Sequence, residues 1–357
     1  MQDSKIIQFA SDNYVGTHPE IIKKIVESMT SIELPYGQDS YSQQASKDLQ
    51  KSFQTDCKSF FVGTGTAANV LALKTILKSH HAVVCTDIAH INGAECGALE
   101  NMTGAKIFQA KHQQGKLTIS AIENILNAKN DFHHNTPKAV SITQPTELGT
   151  VYTLQEIKEI CDYAHSKNLF VHMDGARLAN AAATLNVNLK EMVTDTGVDI
   201  LSFGATKNGG SLAEAVVIFN KKLAEDFIHI QKQGMQLFSK SRIIPAQFIA
   251  YLKDHLWFNN AKHANKVAKE IAESLQNLKF IKTLMPVETN QIFIELPTSL
   301  KDHLLSKYYL YISSEDQVTQ TTTFRIVTSY NTSPEDAQKL MSYLKSLDYD
   351  YELTLKV

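Results

Sequence analysis

The sequence predicts an α/β fold that has a mostly parallel sheet in a large domain and a second, smaller α/β domain. In roughly the first 220 residues, short apolar runs alternate with longer amphipathic ones, which is the pattern of strands and helices in turn. Strands that alternate with helices need crossover connections, and these favour a parallel sheet covered on both faces. Beyond about residue 220, a long helical stretch precedes short segments of alternating polarity, which predict an antiparallel sheet.

The strands of the large domain are predicted from short apolar runs that follow or precede helical patterns. These runs are residues 59–62, 81–86, 139–143, 169–173, 199–203 and 213–219. Helical patterns occupy residues 67–77 and 156–165. Thr153 and Glu156 have the spacing of a capping box, which predicts the start of the second helix.

The second half of the chain predicts a long helix, three short strands and a final helix. The long helix covers residues 251–278, and the last helix begins at Ser333-Pro334, where serine caps and proline occupies the first turn. The strands are residues 291–295, 309–313 and 324–329. We divide the 357 residues into an N-terminal segment (1–15), a large domain (16–250) and a small domain (251–357).

The composition favours a cytoplasmic globular enzyme. Hydrophobic residues make up 43% and charged residues 20%, which are ordinary values for a soluble protein. A net charge of −2 provides no basic surface for nucleic acid or an anionic membrane. The sequence has no signal peptide pattern and no apolar run of about 18 residues that could span a bilayer. The four cysteines lack disulfide or zinc spacing, so we expect free thiols and no metal.

The most informative segment is residues 198–210, in which an apolar run leads to Lys207 among small residues. Most lysines are solvated surface charges, but this one follows an apolar strand, and the small residues around it leave its amine open to the approach of a bulky group. Residues 170–177 similarly deliver Asp174 and Arg177 after an apolar run. A lysine that forms a Schiff base and a carboxylate that holds a pyridinium nitrogen are the minimum apparatus of a pyridoxal phosphate enzyme. The alternative for Asp174 and Arg177 is a helix cap with a local ion pair.

Residues 61–68 lead from a strand into a helix and contain Gly63, Gly65 and Thr66. Backbone amides at a helix N-terminus, with glycines that permit close approach, predict a phosphate site. The same residues match Gly-x-Gly-x-x-Ala, and Asp87 follows Gly65 by 22 residues, as in a dinucleotide-binding fingerprint. A tight turn that needs glycine is a third interpretation.

Several candidate residues follow predicted strands and should meet at one edge of the sheet, where ligands of parallel sheets bind. They are residues 63–66, His90, residues 143–149, Asp174 and Lys207. His90 is suited to stack on a planar cofactor, although a lone histidine is more often structural. Arg177 offers a planar fork for a substrate carboxylate. Arg325 in the last strand is a second candidate, whose alternative is a surface ion pair.

Taken together, these residues resemble the low-specificity L-threonine aldolases, within the fold type I pyridoxal phosphate enzymes. The segments that carry the resemblance are residues 9–14, 36–39, 61–69, 89–97, 171–177, 202–209 and 325–329. The likeness covers nearly the whole chain. It is strongest to a bacterial subgroup that includes L-threonine and phenylserine aldolases. It implies an aspartate aminotransferase-like fold with a seven-stranded, mostly parallel sheet in the large domain.

The resemblance also implies roles for individual residues. Catalysis is assigned to Lys207 as the Schiff-base lysine, Asp174 as the partner of the pyridine nitrogen, and His90. The implied cofactor-binding set is Gly65, Thr66, His90, Asp174, Arg177 and Lys207. The implied substrate-binding set is Ser11, Arg177 and Arg325. Family members are homotetramers, dimers of dimers, in which residues near 36–41 reach a neighbouring active site.

One loop departs from the broader family. Many members carry Asn-Thr-His-Asn, with its histidine near the substrate hydroxyl, whereas this chain has Gln144-Pro-Thr-Glu-Leu-Gly149. The base that removes the hydroxyl proton is therefore open, with His90 or a bound water as candidates.

The implied activity is reversible cleavage of L-threonine, L-allo-threonine and related β-hydroxy-α-amino acids to glycine and an aldehyde. Alternatives are an L-phenylserine aldolase or another pyridoxal phosphate lyase or transaminase on the same fold. A more distant alternative is an NAD-dependent dehydrogenase, based on residues 63–68 and Asp87. A non-catalytic binding protein would leave the pairing of Lys207 with Asp174 unexplained.

Overall fold

A seven-stranded sheet forms the centre of the molecule. The computed structural model describes residues 7–128 and 131–354. The strands are β1 (Ile7–Gln8), β2 (Lys58–Val62), β3 (His81–Thr86), β4 (Lys106–Ala110), β5 (Thr136–Thr143), β6 (Phe170–Gly175), β7 (Ile200–Gly204), β8 (Glu214–Ile218), β9 (Lys282–Thr283), β10 (Gln291–Pro297), β11 (Tyr308–Tyr309), β12 (Tyr311–Asp316) and β13 (Thr321–Val327). The order in the central sheet is β2-β8-β7-β6-β5-β3-β4.

Strand β8 runs antiparallel to its two neighbours, β2 and β7, and the other four strand pairs of this sheet are parallel. The prediction of a mostly parallel sheet is therefore confirmed. A short connection joins β7 directly to β8, which suffices for an antiparallel pair. The parallel strands are joined through helices instead. Strands β5 to β8 are almost wholly buried, as expected for a sheet covered on both faces.

Helices cover the two faces of the sheet. They are α1 (Pro19–Thr30), α2 (Ser40–Phe53), α3 (Gly65–Lys74), α4 (His90–Gly93), α5 (Ala98–Thr103), α6 (Ile119–Ala128), α7 (Leu154–Ser166), α8 (Leu178–Leu185), α9 (Phe227–Gln233), α10 (Ile243–Leu252), α11 (Leu256–Leu275), α12 (Lys301–Leu305) and α13 (Pro334–Thr354). One face is packed by helices that include α2 and α10, through Leu49 and Phe248. The other is packed by α3, α5 and α9, through Leu71, Leu99 and Phe227.

The predicted helix starts agree with the observed capping. Thr153 Oγ1 accepts the Glu156 N–H at 3.1 Å, and the Glu156 carboxylate accepts the Thr153 N–H at 2.7 Å, which completes the capping box. Ser333 Oγ accepts the Asp336 N–H at 3.0 Å at the start of α13. Helix α3 begins at Gly65, slightly before the predicted start, because Thr64 caps it.

The predicted long helix over residues 251–278 corresponds to α11, but α11 is shorter than predicted at both ends and a break separates it from α10. Helix α10 ends at Leu252, α11 begins at Leu256, and the turn between them holds Asp254 and His255 at φ values of 50° and 58°. Left-handed residues interrupt the helical hydrogen-bond series. The break lets Trp257 pack into the core beside the central sheet.

The C-terminal part contains a four-stranded antiparallel sheet in the order β12-β13-β10-β9. Helices α11 and α13 pack with it around a separate apolar cluster that includes Ile271, Ile292, Phe324 and Leu340. This agrees with the predicted smaller α/β unit. Strand β1 pairs with β11, so the N-terminal segment joins this part of the molecule.

The boundaries at residues 15 and 250 stay a prediction, and residues 1–6 and 355–357 of the outer divisions lie outside the described residues. Within the described ranges, no helix has both the length and the apolar character needed to cross a bilayer.

Phe248→Ala should strongly destabilise the protein. Phe248 is fully buried, and its ring lies near those of Phe61, Phe203 and Tyr251. Removal of a buried phenylalanine ring typically costs about 3–5 kcal/mol because a cavity is left behind. Urea unfolding followed by circular dichroism should show a lower midpoint. Phe132→Ala, at an exposed ring, is the control and should change little. Equal midpoints for the two variants would contradict the packing described.

Candidate active site

A cavity of about 320 Å³ lies at the carboxyl edge of the central sheet. Its wall is built by residues at or just after the ends of β2, β3, β5, β6 and β7. Six of the predicted site residues line it, namely Gly65, Thr66, His90, Asp174, Arg177 and Lys207. Ser11 and Arg325 are not among its lining residues. The structure thus brings together side chains that the sequence separates widely.

Lys207 lies in a short 3-10 turn, Thr206–Asn208, that follows β7. Its amine has no hydrogen-bond or ion-pair partner among residues 7–128 and 131–354. The positive charge of Arg177, followed by burial, lowers the pKa of Lys207. Asp12, Asp174 and Glu214 act in the opposite direction. A larger fraction of the amine is therefore neutral and nucleophilic than for an exposed lysine.

The small residues around Lys207 have a structural reason of their own. A Cβ at Gly210 would lie 2.8 Å from the Ala205 carbonyl oxygen, and Gly209 has a φ of +105°. The Asn208 amide group holds the turn, because it donates to the Tyr251 hydroxyl at 2.8 Å and to the Trp257 carbonyl at 2.7 Å. The same glycines therefore allow the tight turn and leave the Lys207 amine approachable.

Asp174 lies near the end of β6 and is held in place by two hydrogen bonds. Its Oδ1 accepts the Ala176 N–H at 2.9 Å, and its Oδ2 accepts the Asn69 amide at 2.8 Å. Asn69 also donates to Glu95 Oε1 at 2.9 Å, and that oxygen lies 2.8 Å from His90 Nδ1. One hydrogen-bonded chain therefore connects Asp174 to His90. Asn69 and Glu95 were within the matched segments, but no role was predicted for them.

His90 is polarised by this chain of contacts. The hydrogen bond to Glu95 raises the pKa of His90, although burial opposes the shift. Its backbone N–H donates to Glu147 Oε1 at 2.9 Å, so the residue is held from two sides. The ring remains partly exposed to the cavity, with a side-chain exposure of 44%. This placement is compatible with contact between the imidazole and a planar ligand.

His172 is a buried histidine behind Asp174 that was not singled out from the sequence. Its Nδ1 lies 2.8 Å from Ser141 Oγ and its Nε2 lies 2.9 Å from Ser202 Oγ. Burial lowers the pKa of His172 to about 4, so the ring is neutral near pH 7. One ring nitrogen then donates and the other accepts, which ties β5, β6 and β7 together beneath the cavity.

Arg177 forms a two-point ion pair with Asp12, which sequence reasoning missed. The Nε and Nη2 atoms donate to the carboxylate at 2.7 and 2.9 Å, and Asn290 donates to the same carboxylate at 3.1 Å. Burial alone would raise the pKa of Asp12, but the charge and hydrogen bond of Arg177 hold it below its ordinary value. The edge of the guanidinium that carries Nε and Nη2 is thereby occupied.

Ser11 and Arg325 are both close to this ion pair, Ser11 as the chain neighbour of Asp12 and Arg325 through electrostatic interaction with both partners. Ser11 Oγ accepts the Asn13 N–H at 3.1 Å and so caps the turn that contains Asp12. Arg325 on β13 lies over the ring of Tyr311, 4.7 Å from its centroid. Burial and the charge of Arg177 lower the pKa of Arg325, which indicates that the two guanidinium groups share one region.

The predicted phosphate site lies at the N-terminus of α3, where the first amides of a helix have no partner within the helix. The Gly63 N–H already donates to Gln236 Oε1 at 2.9 Å. A Cβ built at Gly65 would meet no heavy atom within 4 Å, so open space adjoins the next amides. The helix dipole favours an anion in that space.

A dinucleotide-binding site would need Asp87 to lie beside Gly65, and the structure does not place it there. Asp87 pairs with Lys111 at 2.9 Å, accepts the His112 N–H at 3.3 Å and does not line the cavity. A carboxylate that is engaged in this way is not placed to bind a ribose beside Gly65.

No role was predicted for two glutamates of the cavity wall. Glu147 belongs to the loop after β5, and burial raises its pKa to about 6. Glu214 begins β8, and burial raises its pKa to about 7. An acidic residue at the start of an otherwise apolar strand was a visible signal for Glu214. Glu147 lay within residues 143–149, which were expected at this edge of the sheet.

The family model described as beta-eliminating lyase matches residues 8–299 of this chain. A low specificity L-threonine aldolase of Pseudomonas aeruginosa is 42% identical over 290 residues, which cover 81% of this chain and 84% of that protein. A low specificity L-threonine aldolase of another Pseudomonas strain is 39% identical over 311 residues, which cover 86% of this chain and 90% of that protein.

The fold is similar to that of a threonine aldolase from Leishmania major. The TM-score is 0.92 at 31% sequence identity, and the match covers 96% of this chain and 99% of that chain. The likeness over nearly the whole length confirms the predicted aspartate aminotransferase-like, fold type I architecture.

Asp12→Ala should lower the free energy of unfolding at pH 7, because it leaves the Arg177 guanidinium buried without its carboxylate partner. Breaking a buried ion pair in this way typically costs about 3–5 kcal/mol. The pKa of Asp12 in the folded protein lies below its ordinary value of 3.8, so its contribution is present above that pH. The contribution is lost as the pH falls through the lowered pKa.

Urea unfolding of the wild type and Asp12→Ala, measured at several pH values, checks this expectation. The difference between the two proteins should be largest near neutrality and should shrink in strong acid. Glu27→Gln breaks an exposed pair with Lys24 and is the matched control, with an expected effect below about 1 kcal/mol. A difference for Asp12→Ala that does not depend on pH would contradict the role of the ion pair.

Proposed function

The chain belongs to the beta-eliminating lyase family, and we propose that it is a pyridoxal phosphate-dependent aldolase that cleaves L-threonine and L-allo-threonine. The reaction is reversible and yields glycine and an aldehyde. The observation that carries the proposal is the Lys207 amine, which lacks a partner in the described ranges and shares a cavity with Asp174. Relatives that are 39–42% identical over most of the chain are named low specificity L-threonine aldolases.

The residues of the cavity fit pyridoxal phosphate. Lys207 presents an amine of lowered pKa for the cofactor aldehyde, and Asp174 presents a fixed carboxylate for the pyridine nitrogen. Gly65 and Thr66 offer amides beside open space for the phosphate. His90 would stack on the ring. When bound there, the cofactor supplies an electron sink for the bond that breaks at the substrate Cα.

Asp174 is proposed to keep a proton on the pyridine nitrogen. An opposite charge within about 4–6 Å raises the pKa of such a nitrogen. The hydrogen bonds from Asn69 and Ala176 fix the direction in which the carboxylate faces. His172, neutral and buried in the same strand, adds no competing positive charge. The chain from Asn69 through Glu95 keeps His90 aligned with the same group.

Arg177, Ser11 and Arg325 are proposed to bind the substrate carboxylate. The Nε and Nη2 atoms of Arg177 are engaged by Asp12, so its Nη1 is the atom available in the cavity. Asp12 would thus set the orientation of Arg177. Arg325 adds positive charge nearby, and its Nε is buried without a partner in the described part of the chain. An anionic group that entered this region would satisfy that donor.

A homotetramer is also proposed, with active sites shared between neighbours. Helix α1 exposes Ile22, Val26 and Met29, which recur on one face of the helix, and Ile32 and Leu34 follow it. This exposed apolar surface supports an interface between copies of the chain.

The loop near Tyr36 would lie at such an interface. The Tyr36 N–H donates to Ser239 O at 3.1 Å, which joins this loop to the segment that contains Gln236 and the exposed Phe238. Gln236 accepts the N–H of Gly63 at the cavity wall. A neighbouring chain bound here would therefore border the phosphate site. Four free cysteines, three of them buried, accord with the proposed cytoplasmic location.

Lys207→Ala should abolish cleavage of L-threonine and the visible absorbance of the bound cofactor, because no other lysine among the described residues lines the cavity. The assay is quantification of glycine and aldehyde from L-threonine, L-allo-threonine and L-phenylserine, together with the absorption spectrum. Lys111→Ala, at an exposed lysine near the same sheet edge, is the control and should retain both properties. Normal turnover by Lys207→Ala would refute the assignment.

The products distinguish the alternatives. The wild type should form glycine and aldehyde in equal amounts. Ammonia or a keto acid as the main product would instead indicate a different lyase or a transaminase. A marked preference for L-phenylserine would make the chain a phenylserine aldolase.

Val26→Asp combined with Met29→Asp should reduce the assembly state, because two charges would be placed in the proposed apolar interface. Light scattering after size-exclusion chromatography should give four times the chain mass of 39.8 kDa for the wild type and a smaller species for the variant. Phe132→Asp, at another exposed apolar residue, should leave the mass unchanged. A monomeric wild type would overturn the proposal.

A further inference from the structure

We propose that Glu147 is the acid–base residue that takes the proton from the substrate β-hydroxyl during cleavage and returns it during synthesis. This inference rests on the proposed aldolase function and settles which group acts as the base. It concerns the loop of residues 144–149, which follows β5.

Glu147 lines the cavity together with Thr143, His90, Asp174 and Lys207. Its Oε1 accepts the Thr143 hydroxyl at 2.8 Å and the His90 N–H at 2.9 Å, so two donors fix the plane of the carboxyl group. Its Oε2 is buried and has no hydrogen-bond partner in the part of the chain that the structure describes. A buried oxygen without a partner is rare in a folded protein and requires an explanation. A proton or a substrate hydroxyl would satisfy it.

The loop that carries Glu147 is held by contacts on both sides. The Gln144 side chain donates to the Tyr152 carbonyl at 2.9 Å and accepts the Tyr152 N–H at 3.0 Å. The Thr146 carbonyl accepts the Gly149 N–H at 2.9 Å, and the Thr146 N–H donates to the Thr150 carbonyl at 2.9 Å. The hydroxyls of Thr146 and Thr150 lie 2.7 Å apart. These contacts make the carboxylate a fixed feature of the cavity wall, as acid–base catalysis requires.

The charges around Glu147 come from several elements. Burial raises its pKa to about 6, Asp174 acts in the same direction, and the hydrogen bonds from Thr143 and His90 oppose the shift. Arg177 interacts with it across the cavity, and Cys85 and Tyr152 are uncharged near neutrality because burial raises the pKa of each. Near pH 7 the carboxyl group is mostly ionised but binds a proton readily. That balance suits a group that must act in both directions.

Other candidates in the cavity are less suited. His90 Nδ1 is engaged by Glu95 Oε1 at 2.8 Å, and this hydrogen bond raises the pKa of His90. Glu214 is engaged by a hydrogen bond with Thr206 and by the charge of Lys207, so it is placed to interact with the lysine. Asp174 already accepts two hydrogen bonds and is assigned to the pyridine nitrogen.

The proton and electron balance of the step is simple. Glu147 accepts the hydroxyl proton, the O–H electrons become the second bond of the aldehyde C=O, and the Cα–Cβ bond breaks. The electrons of that bond remain at Cα, which then gains one proton to give glycine. One proton is removed from the hydroxyl and one is added to Cα, so no net proton is consumed. Synthesis reverses each change.

Glu147→Gln tests the proposal, because glutamine keeps the size and the Oε1 acceptor but cannot bind the proton. The kcat for cleavage of L-threonine should fall about 10²–10⁴-fold, while KM changes little. Cofactor absorbance and glycine affinity should be retained. Exchange of the glycine α-proton with D₂O, which involves no β-hydroxyl, should continue. Glu159→Gln, at an exposed glutamate on α7, is the matched control and should behave as the wild type.

The pH dependence provides a second test. In the wild type, kcat/KM should fall as the pH drops through about 6, because Glu147 becomes protonated and can no longer accept a proton. This acidic limb should be missing in Glu147→Gln. Thr143→Val keeps the carboxylate but removes a hydrogen bond that favours its charged form, so the limb should move to higher pH. This variant remains informative if Glu147→Gln folds poorly.

An infrared difference spectrum of the purified protein between pH 5 and 8 reports on the proton directly. A carboxylic acid band that is present in the wild type and absent in Glu147→Gln would support the assignment. A Glu147→Gln enzyme with nearly normal kcat, or an acidic limb that does not move in Thr143→Val, would overturn it. Failure of the wild type to release glycine and aldehyde would instead refute the aldolase function itself.

Discussion

Buried charge at the carboxyl edge of the central sheet is the constraint on which the site depends. An ionised side chain that is removed from water is costly unless it is paired or hydrogen-bonded. Asp12 and Arg177 satisfy each other, and Asn69 and Ala176 satisfy Asp174. Lys207 receives only longer-range attraction from nearby carboxylates. The site is therefore a nearly balanced set of charges that leaves one amine available for reaction.

The same constraint explains features of the scaffold that lie away from the cavity. The turn at Lys207 is held by Asn208, which donates to the Trp257 carbonyl. Trp257 reaches this position because α10 and α11 are separated by left-handed residues at Asp254 and His255. The interruption of the long helix thus supports the reactive lysine. The N-terminal segment has a similar role, since it pairs with β11 and then delivers Asp12 to Arg177.

Much of the fold and part of the site could be predicted because the signals are local. The capping box at Thr153, the apolar strands and the glycines beside Lys207 each depend on nearby residues. Residues that follow parallel strands share one edge of the sheet, so Asp174 and Lys207 could be expected to meet. The partners of these residues could not be predicted in the same way. Asn69 and Asp174 are 105 positions apart, and Asp12 and Arg177 are 165 apart.

The sequence by itself determined the α/β class, six of the seven strands of the central sheet, with β4 not predicted, and the pairing of Lys207 with Asp174 on which the resemblance to the threonine aldolases depends. These properties follow from periodicity, strand ends and short motifs. Only the tertiary structure decided which edge of Arg177 is occupied and which carboxylates border Lys207. It also placed Glu147 in the cavity wall, where its Oε2 has no hydrogen-bond partner among the residues that the structure describes. The physical reason is that hydrogen-bond partners, burial and pKa depend on packing between distant segments, which no local pattern encodes.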